Sequence, residues 1–231
     1  DPLKFTWLGS VSSYANDAYL LMVNSSSPVV SASQLKTPGT PIKLGTVGAG
    51  SSNLVFATLA RDVLGLNVDV IRGYTGAAPL FLAMQSGELD GQVVGLSSTR
   101  AGQADLWKSG KLRPLVQFGR VSRLAELPDV PTGRELAPDD KARALVEFAE
   151  LPFFMALPFV GPPGVPADRA KALQDGFIAM CRDPQFVAEA EKLGLDVSPI
   201  DAEALSQLLR KSAETPKAVI EAYRAILSPS R

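Results

Sequence analysis

Three short segments hold the residues best suited to chemistry, and all three suit an anion. Thr46-Val47-Gly48-Ala49-Gly50-Ser51-Ser52-Asn53 separates a strand-like run from a helix-like run. Gly48, Ala49 and Gly50 have little or no side chain to hold a ligand away from the backbone. A helix opening at Asn53 adds unsatisfied N–H groups and a partial positive charge, and Ser51 and Ser52 add hydroxyl donors. Gly73-Tyr74-Thr75-Gly76-Ala77-Ala78-Pro79 repeats the strand-to-helix arrangement, with Tyr74 able to stack on a ligand or hydrogen-bond to it. Gly95-Leu96-Ser97-Ser98-Thr99-Arg100 is the third, where hydroxyls and a guanidinium suit a carboxylate. The candidate ligand-binding set is Thr46, Gly48, Ala49, Gly50, Ser51, Ser52, Tyr74, Thr75, Gly76, Ser97 and Ser98. Each loop alone also reads as a capped helix start with no ligand. Tyr74 also reads as a lid on the core with its hydroxyl in water, and Arg100 as a solvated cation. The agreement of three successive loops is what points to a ligand edge.

Other chemistries fit poorly. No Gly-Lys-Ser/Thr follows Gly48-Ala49-Gly50, so the turn is not a P-loop. Asn53 stands where a dinucleotide fingerprint has its third glycine. A nucleotide-dependent α/β enzyme built on that turn is the alternative reading. The chain has no histidine, which removes the usual general base, triad member and zinc ligand. Its one cysteine, Cys181, lies in a helical pattern and reads as a small buried apolar residue. Gly-x-Ser-x-Gly is absent. Glu88 and Asp90 read as turn residues rather than an acid/base pair. No catalytic residue, metal site or cofactor is expected.

The 231 residues are 46% hydrophobic and 20% charged with a net charge of −1, an ordinary globular balance. No basic stripe points to nucleic acid, and no lysine/arginine cluster points to a membrane surface. No apolar run reaches the roughly 18 residues of a membrane span. Asp1-Pro2-Leu3-Lys4 lacks the pattern of a secretory leader, so either a leader was removed or the chain starts further in.

Hydrophobic spacing supplies the elements behind these loops. Strands are expected at Pro41–Val47, Asn67–Ile71, Gln92–Leu96 and Leu112–Phe118, with helices at Asn53–Leu64, Ala77–Ser86 and Ala101–Ser109 between them. That alternation is the mark of a parallel sheet clad by helices. Beyond Gly161-Pro162-Pro163-Gly164-Val165-Pro166 the chain becomes helical. Runs are expected over Ala167–Cys181, with Pro166 in the first turn, and from Asp183-Pro184 to Leu193. A further helix is capped by Asp201, and a fourth opens at Thr215-Pro216. The strands left over, Thr6–Gly9, Tyr19–Val23, Phe154–Val160 and Leu195–Ser198, make a thin sheet for those helices.

Several of these pieces, in this order, resemble one family. Gly73-Tyr74-Thr75-Gly76 with Leu82-Ala83-Met84-Gln85-Ser86-Gly87-Glu88-Leu89-Asp90-Gly91 is similar to a segment of the tripartite tricarboxylate transporter receptors, also called Bug proteins. So are Gly45–Ser52, Ser109–Arg113, Leu127-Pro128-Asp129-Val130-Pro131-Thr132, Gly161–Pro166 and Asp183-Pro184-Gln185-Phe186. The resemblance implies a non-enzymatic periplasmic receptor of the type II periplasmic binding fold. Two α/β lobes would hold a small organic acid and pass it to membrane permease subunits, and the protein would be a monomer. It divides the chain into residues 1–30 with 155–231 as lobe one, incomplete, and 31–154 as lobe two. Two departures stand out. The family's lysine between tyrosine and glycine is Thr75 here, and the family's glycine-rich N-terminal segment is missing. An effector-sensing half of a transcription regulator would share such lobes, but no helix-turn-helix pattern is visible.

The missing segment has an energetic consequence. A helix N-terminus contributes about 0.3–1 kcal/mol, up to about 2 in favourable geometry. Micromolar affinity requires about 8 kcal/mol. The 231-residue chain alone is therefore expected to bind its acid weakly. Calorimetric titration giving a sub-micromolar Kd would refute this.

Overall fold

The computed structural model describes residues 1–227. The strands are β1 (Thr6–Ser10), β2 (Tyr19–Asn24), β3 (Ile42–Thr46), β4 (Val68–Arg72), β5 (Gly91–Gly95), β6 (Leu112–Phe118), β7 (Pro158–Gly161) and β8 (Ile200–Asp201). The helices are α1 (Ser52–Asp62), α2 (Ala77–Gln85), α3 (Leu96–Gly102), α4 (Ala104–Lys108), α5 (Gly133–Leu136), α6 (Asp140–Glu150), α7 (Ala167–Arg182), α8 (Pro184–Lys192), α9 (Ala202–Ala213) and α10 (Lys217–Leu227). The chain divides into two compact units, Asp1–Asp17 with Glu150–Pro216, and Ala18–Ala149 with the C-terminal residues from Lys217.

The second unit carries a five-stranded sheet in the order β4-β3-β5-β2-β6. β3 runs parallel to β4 and to β5, whereas β2 runs antiparallel to both β5 and β6. Four strands therefore point one way and β2 is inserted against them. Local periodicity gives a strand's existence but not its neighbours, so β2 was assigned by sequence to the first lobe. The central strand β2 reads Tyr-Leu-Leu-Met-Val-Asn, and its four middle residues are all buried. That is the composition of a strand covered on both faces. On one face Leu20, Met22 and Val94 pack with Leu80, Phe81, Met84 and Leu89. The chain moves outward from β3 to β4 and back from β4 to β5, and right-handed crossovers then place α1 and α2 on opposite faces. The α1 side is aromatic. Phe56 stacks on Phe118 with ring centroids 4.7 Å apart, and Tyr19 lies 5.6 Å from Phe56. Gly91 allows the tightest strand contact, since a Cβ there would sit 2.3 Å from the Met22 carbonyl oxygen.

Helix α10 also belongs to this unit, where it packs on α1, and Tyr223 meets Phe148 edge-on at 5.1 Å. The expected lobe boundaries thus differ from the contact division at three places: residues 18–30, which hold β2, residues 150–154, and α10. The expected Ala101–Ser109 helix is also two pieces. α3 starts straight off β5, and the backbone breaks at Gln103 (φ −137°) after Gly102.

The first unit holds the antiparallel sheet β7-β1-β8, with α7 and α9 against β1. Gly9 has φ +145° at an irregularity in β1, and any Cβ there would strike the Phe177 ring and the Ile200 carbonyl at 2.6 Å. Val11, Phe177 and Cys181 form a small core with Leu8, Ile178, Met180, Phe186 and Val197 against it. The sheet is thin, and the edge strand β7 leaves Phe159 and Val160 half exposed. The expected Phe154–Val160 strand is instead a 3-10 turn over Leu151–Met155 followed by β7, with Pro152 opening the turn. Pro166 precedes α7 as its cap residue rather than lying in its first turn. Asp183 and Asp201 cap α8 and α9 through their carboxylates, as their positions in sequence suggest.

One electrostatic feature fixes the connection after β6. Thr132 and Glu135 form a reciprocal capping box at the start of α5, and the Arg123 guanidinium also reaches the Glu135 carboxylate at 2.9 Å. Hydrogen bonds from Arg123 and from the Thr132 backbone hold the Glu135 carboxyl at about 2, down from 4.5. A lowered carboxylate stabilises the fold above its unfolded value, and the contribution is lost as pH falls through the folded one. The pair is largely exposed, so the effect is modest, under about 1 kcal/mol. Glu135→Gln should therefore lower thermal stability at pH 7, by a deficit that shrinks as pH falls from about 4.5 toward 2. Melting curves of both proteins across pH 2–7 check this.

Candidate functional site

The geometry of the second unit brings all three candidate loops to one edge. Thr46 pairs with Arg72 at the carboxyl ends of β3 and β4, and β5, parallel to β3, ends at Gly95 on the same side. The loops Val47–Ser51 and Gly73–Gly76 and the start of α3 therefore share a rim. Ligands of open α/β sheets bind outside the carboxyl ends of parallel strands.

The β3–α1 loop is the most open of the three. Gly48, Ala49, Gly50 and Ser52 are exposed, and Ser51 is half-buried. A Cβ added at Gly48 or at Gly76 would meet nothing within 4 Å, so both loops present bare backbone to solvent. Gly50 has φ +82°, which turns the chain into α1. Ser51 is the N-cap, its hydroxyl oxygen accepting from the Leu54 amide at 3.2 Å. Its own proton stays available to a ligand. Helix α1 has eleven residues and begins at this loop, so its first N–H groups and positive dipole end face the rim.

Other candidates divide by what their donors already do. Thr46 is fully buried, and its hydroxyl donates to the Ile71 carbonyl at 3.1 Å, tying β3 to β4. The Tyr74 amide donates to the Thr46 carbonyl at 3.3 Å, and its hydroxyl donates to Glu88 at 2.6 Å. That bond to Glu88 raises the Tyr74 pKa. Both Tyr74 donors thus serve the fold, and its ring packs on the α2-side core. Thr75 is exposed and Gly76 half-exposed at the start of α2. Ser97 is half-buried and Ser98 exposed at the start of α3. Arg100 is held by Glu126 and lies 5.5 Å over the Trp107 ring, so it is not a free cation.

Two further features went unread in the sequence. Asn53 is buried, and its side chain accepts from the Val47 amide at 2.9 Å and donates to the Val93 carbonyl at 2.6 Å. Tyr19 starts β2 opposite Gly95 and Phe118, on this rim, and burial pushes its pKa up to about 12. The first unit has a polar knot of its own after β1. Asp196 accepts from the hydroxyls of Ser12 and Ser198 and from the Asn16 amide, and Tyr14 is the one described non-glycine residue with positive φ (57°). The expected Leu195–Ser198 strand does not form; the segment meets β1's continuation through the Ser198 amide, which donates to the Val11 carbonyl, and through this knot. A groove of about 710 Å³ between α7 and the start of α9 carries Asp175, Asp201 and Glu203 against Arg182, a poor electrostatic match for an anion. Among the described residues no group of three or more histidine, cysteine or acidic residues could hold a metal. No helix among them is long and apolar enough to cross a membrane.

The model of the tripartite tricarboxylate transporter family receptor matches residues 3–224. The chain belongs to that family. Its members are solute receptors rather than enzymes, which sets aside the nucleotide-dependent reading of the Gly48–Gly50 turn. Solved structures agree on the fold. A TctC solute-binding protein from Polaromonas has a TM-score of 0.67 at 16% identity, covering 95% of this chain and 70% of its own. An R. palustris protein with adipate has 0.61 at 18%, covering 98% and 70%. MatC from Rhodopseudomonas palustris with bound malate has 0.54 at 18%, covering 98% and 71%. A comparison with curated proteins finds no match.

The receptor's rim makes a specific forecast for Tyr74. Because neither of its donors faces outward, Tyr74→Phe should leave acid affinity within about twofold, less than 0.5 kcal/mol. Paired titrations of the two proteins test this, and a tenfold loss would place the hydroxyl on the ligand.

Proposed function

We propose that this receptor binds a small organic acid through the backbone rim of Gly48, Ala49, Gly50, Thr75 and Gly76, helped by the hydroxyls of Ser51, Ser52, Ser97 and Ser98. The observation that carries the reading is the bare backbone at Gly48 and Gly76, side by side at the carboxyl edge of β3 and β4. Backbone N–H groups and hydroxyls at a helix N-terminus recognise an anion without a charged side chain. Adipate and malate, held by two structural neighbours, set the substrate class to try first. The protein acts in the periplasm as a monomer, hands its acid to the permease subunits of a tripartite tricarboxylate-type transporter, and uses no nucleic acid.

The test is a titration of the 15N-labelled chain with adipate and with malate, followed by amide resonances. Shifts should concentrate at Gly48–Ser52 and Thr75–Gly76. Gly48→Val should fold normally, having open space around it and no positive φ, yet weaken binding at least about tenfold, 1.4 kcal/mol. Rim amides that stay still with both acids would overturn the proposal.

A further inference from the structure

We propose that Asn53 is the positioning residue of the rim, holding the Gly48–Ser51 amides in fixed register with the end of β5. The inference rests on the reading of that rim as the acid site. Pairing between β3 and β5 covers Leu44 with Gly91 and Gly45 with Gln92 and then stops. Beyond that point the two strands part, and the gap is spanned by one side chain. The Asn53 carbonyl oxygen accepts from Val47, the first residue of the loop, while its amide nitrogen donates to Val93 in β5. Asn53 itself is 4% exposed, so these bonds are made away from water. Its carboxamide supplies an acceptor and a donor on two separate atoms. An aspartate lacks the donor at neutral pH, and a leucine lacks both.

The role is distinct from helix capping. Ser51 already caps α1 through the Leu54 amide, and the Asn53 side chain points from the first turn back into the sheet. The two bonds tie three things together: the start of the anion loop, the first turn of α1, and β5, which leads into Ser97 and Ser98. On the other side of β3, the Tyr74 amide and the Thr46 hydroxyl make the equivalent tie to the loop after β4. The loops are thereby locked to one another before any ligand arrives, which lowers the ordering cost of binding.

Asn53→Ala tests this against Ile42→Val, a change of one buried methyl group at the start of β3, the end away from the rim. Both variants are titrated with adipate and with malate by amide resonances. Asn53→Ala should weaken binding at least about tenfold, while Ile42→Val stays within about twofold. Equal affinities for Asn53→Ala and wild type would overturn the proposal, and so would equal losses in both variants. Hydrogen exchange on the wild-type chain decides the matter even if Asn53→Ala fails to fold. The Val47 amide should exchange far more slowly than those of Gly48 and Ala49, and equal rates would overturn the proposal. Wild-type rim amides that respond to neither acid would instead refute the acid site itself, leaving the exchange measurement to judge the Asn53 tie.

Discussion

Parallel pairing of Ile42–Thr46 with Val68–Arg72 on one side and with Gly91–Gln92 on the other is the constraint on which the rim depends. Parallel neighbours run the same way, so the loops that follow leave the sheet at the same edge. Each then turns into a helix, and a helix start is rich in free N–H groups. The site is thus a consequence of strand direction. Its residues need only be small enough to leave the backbone bare, which explains why glycine, alanine and serine dominate it.

None of the residues proposed to meet the acid carries an ionisable side chain. Tyr19, protonated at neutral pH in any case, is pushed up further to about 12 by burial. Arg100 answers to Glu126 rather than to the rim. On the proposed reading, the attraction for an acid comes from fixed dipoles. Specificity among acids must arise from the shape of the loops and the spacing of their amides. That places weight on whatever keeps the spacing constant, and the buried carboxamide of Asn53 is the part of the structure placed to do so.

Much of this was legible in the residues. Helix caps at Asp183 and Asp201 follow from side chains that accept backbone protons, a purely local matter. The three loops stood out because glycine and serine at strand-to-helix junctions are local too. What escaped was long-range. Tyr19–Asn24 reads as a buried strand whichever sheet it joins, and only the coordinates put it between β5 and β6. Asn53 looked like a flawed glycine position because its partners, Val47 and Val93, lie 6 and 40 residues away. Tyr74 drew attention by its ring, and the structure shows that ring turned along α2 to Glu88. The tie between Asp196 and Ser12, 184 residues apart, has no local signature at all.

The polypeptide passes from one compact unit to the other three times, after Asp17, after Ala149 and after Pro216. Neither unit is a contiguous stretch of gene. A ribosome finishes the β4-β3-β5-β2-β6 sheet long before it delivers α10, whose apolar face covers α1 in the same unit. The nascent protein must hold that surface uncovered while the whole of α7, α8 and α9 is made. Docking of α10 on α1 is therefore a late event, the closing of a contact between distant segments.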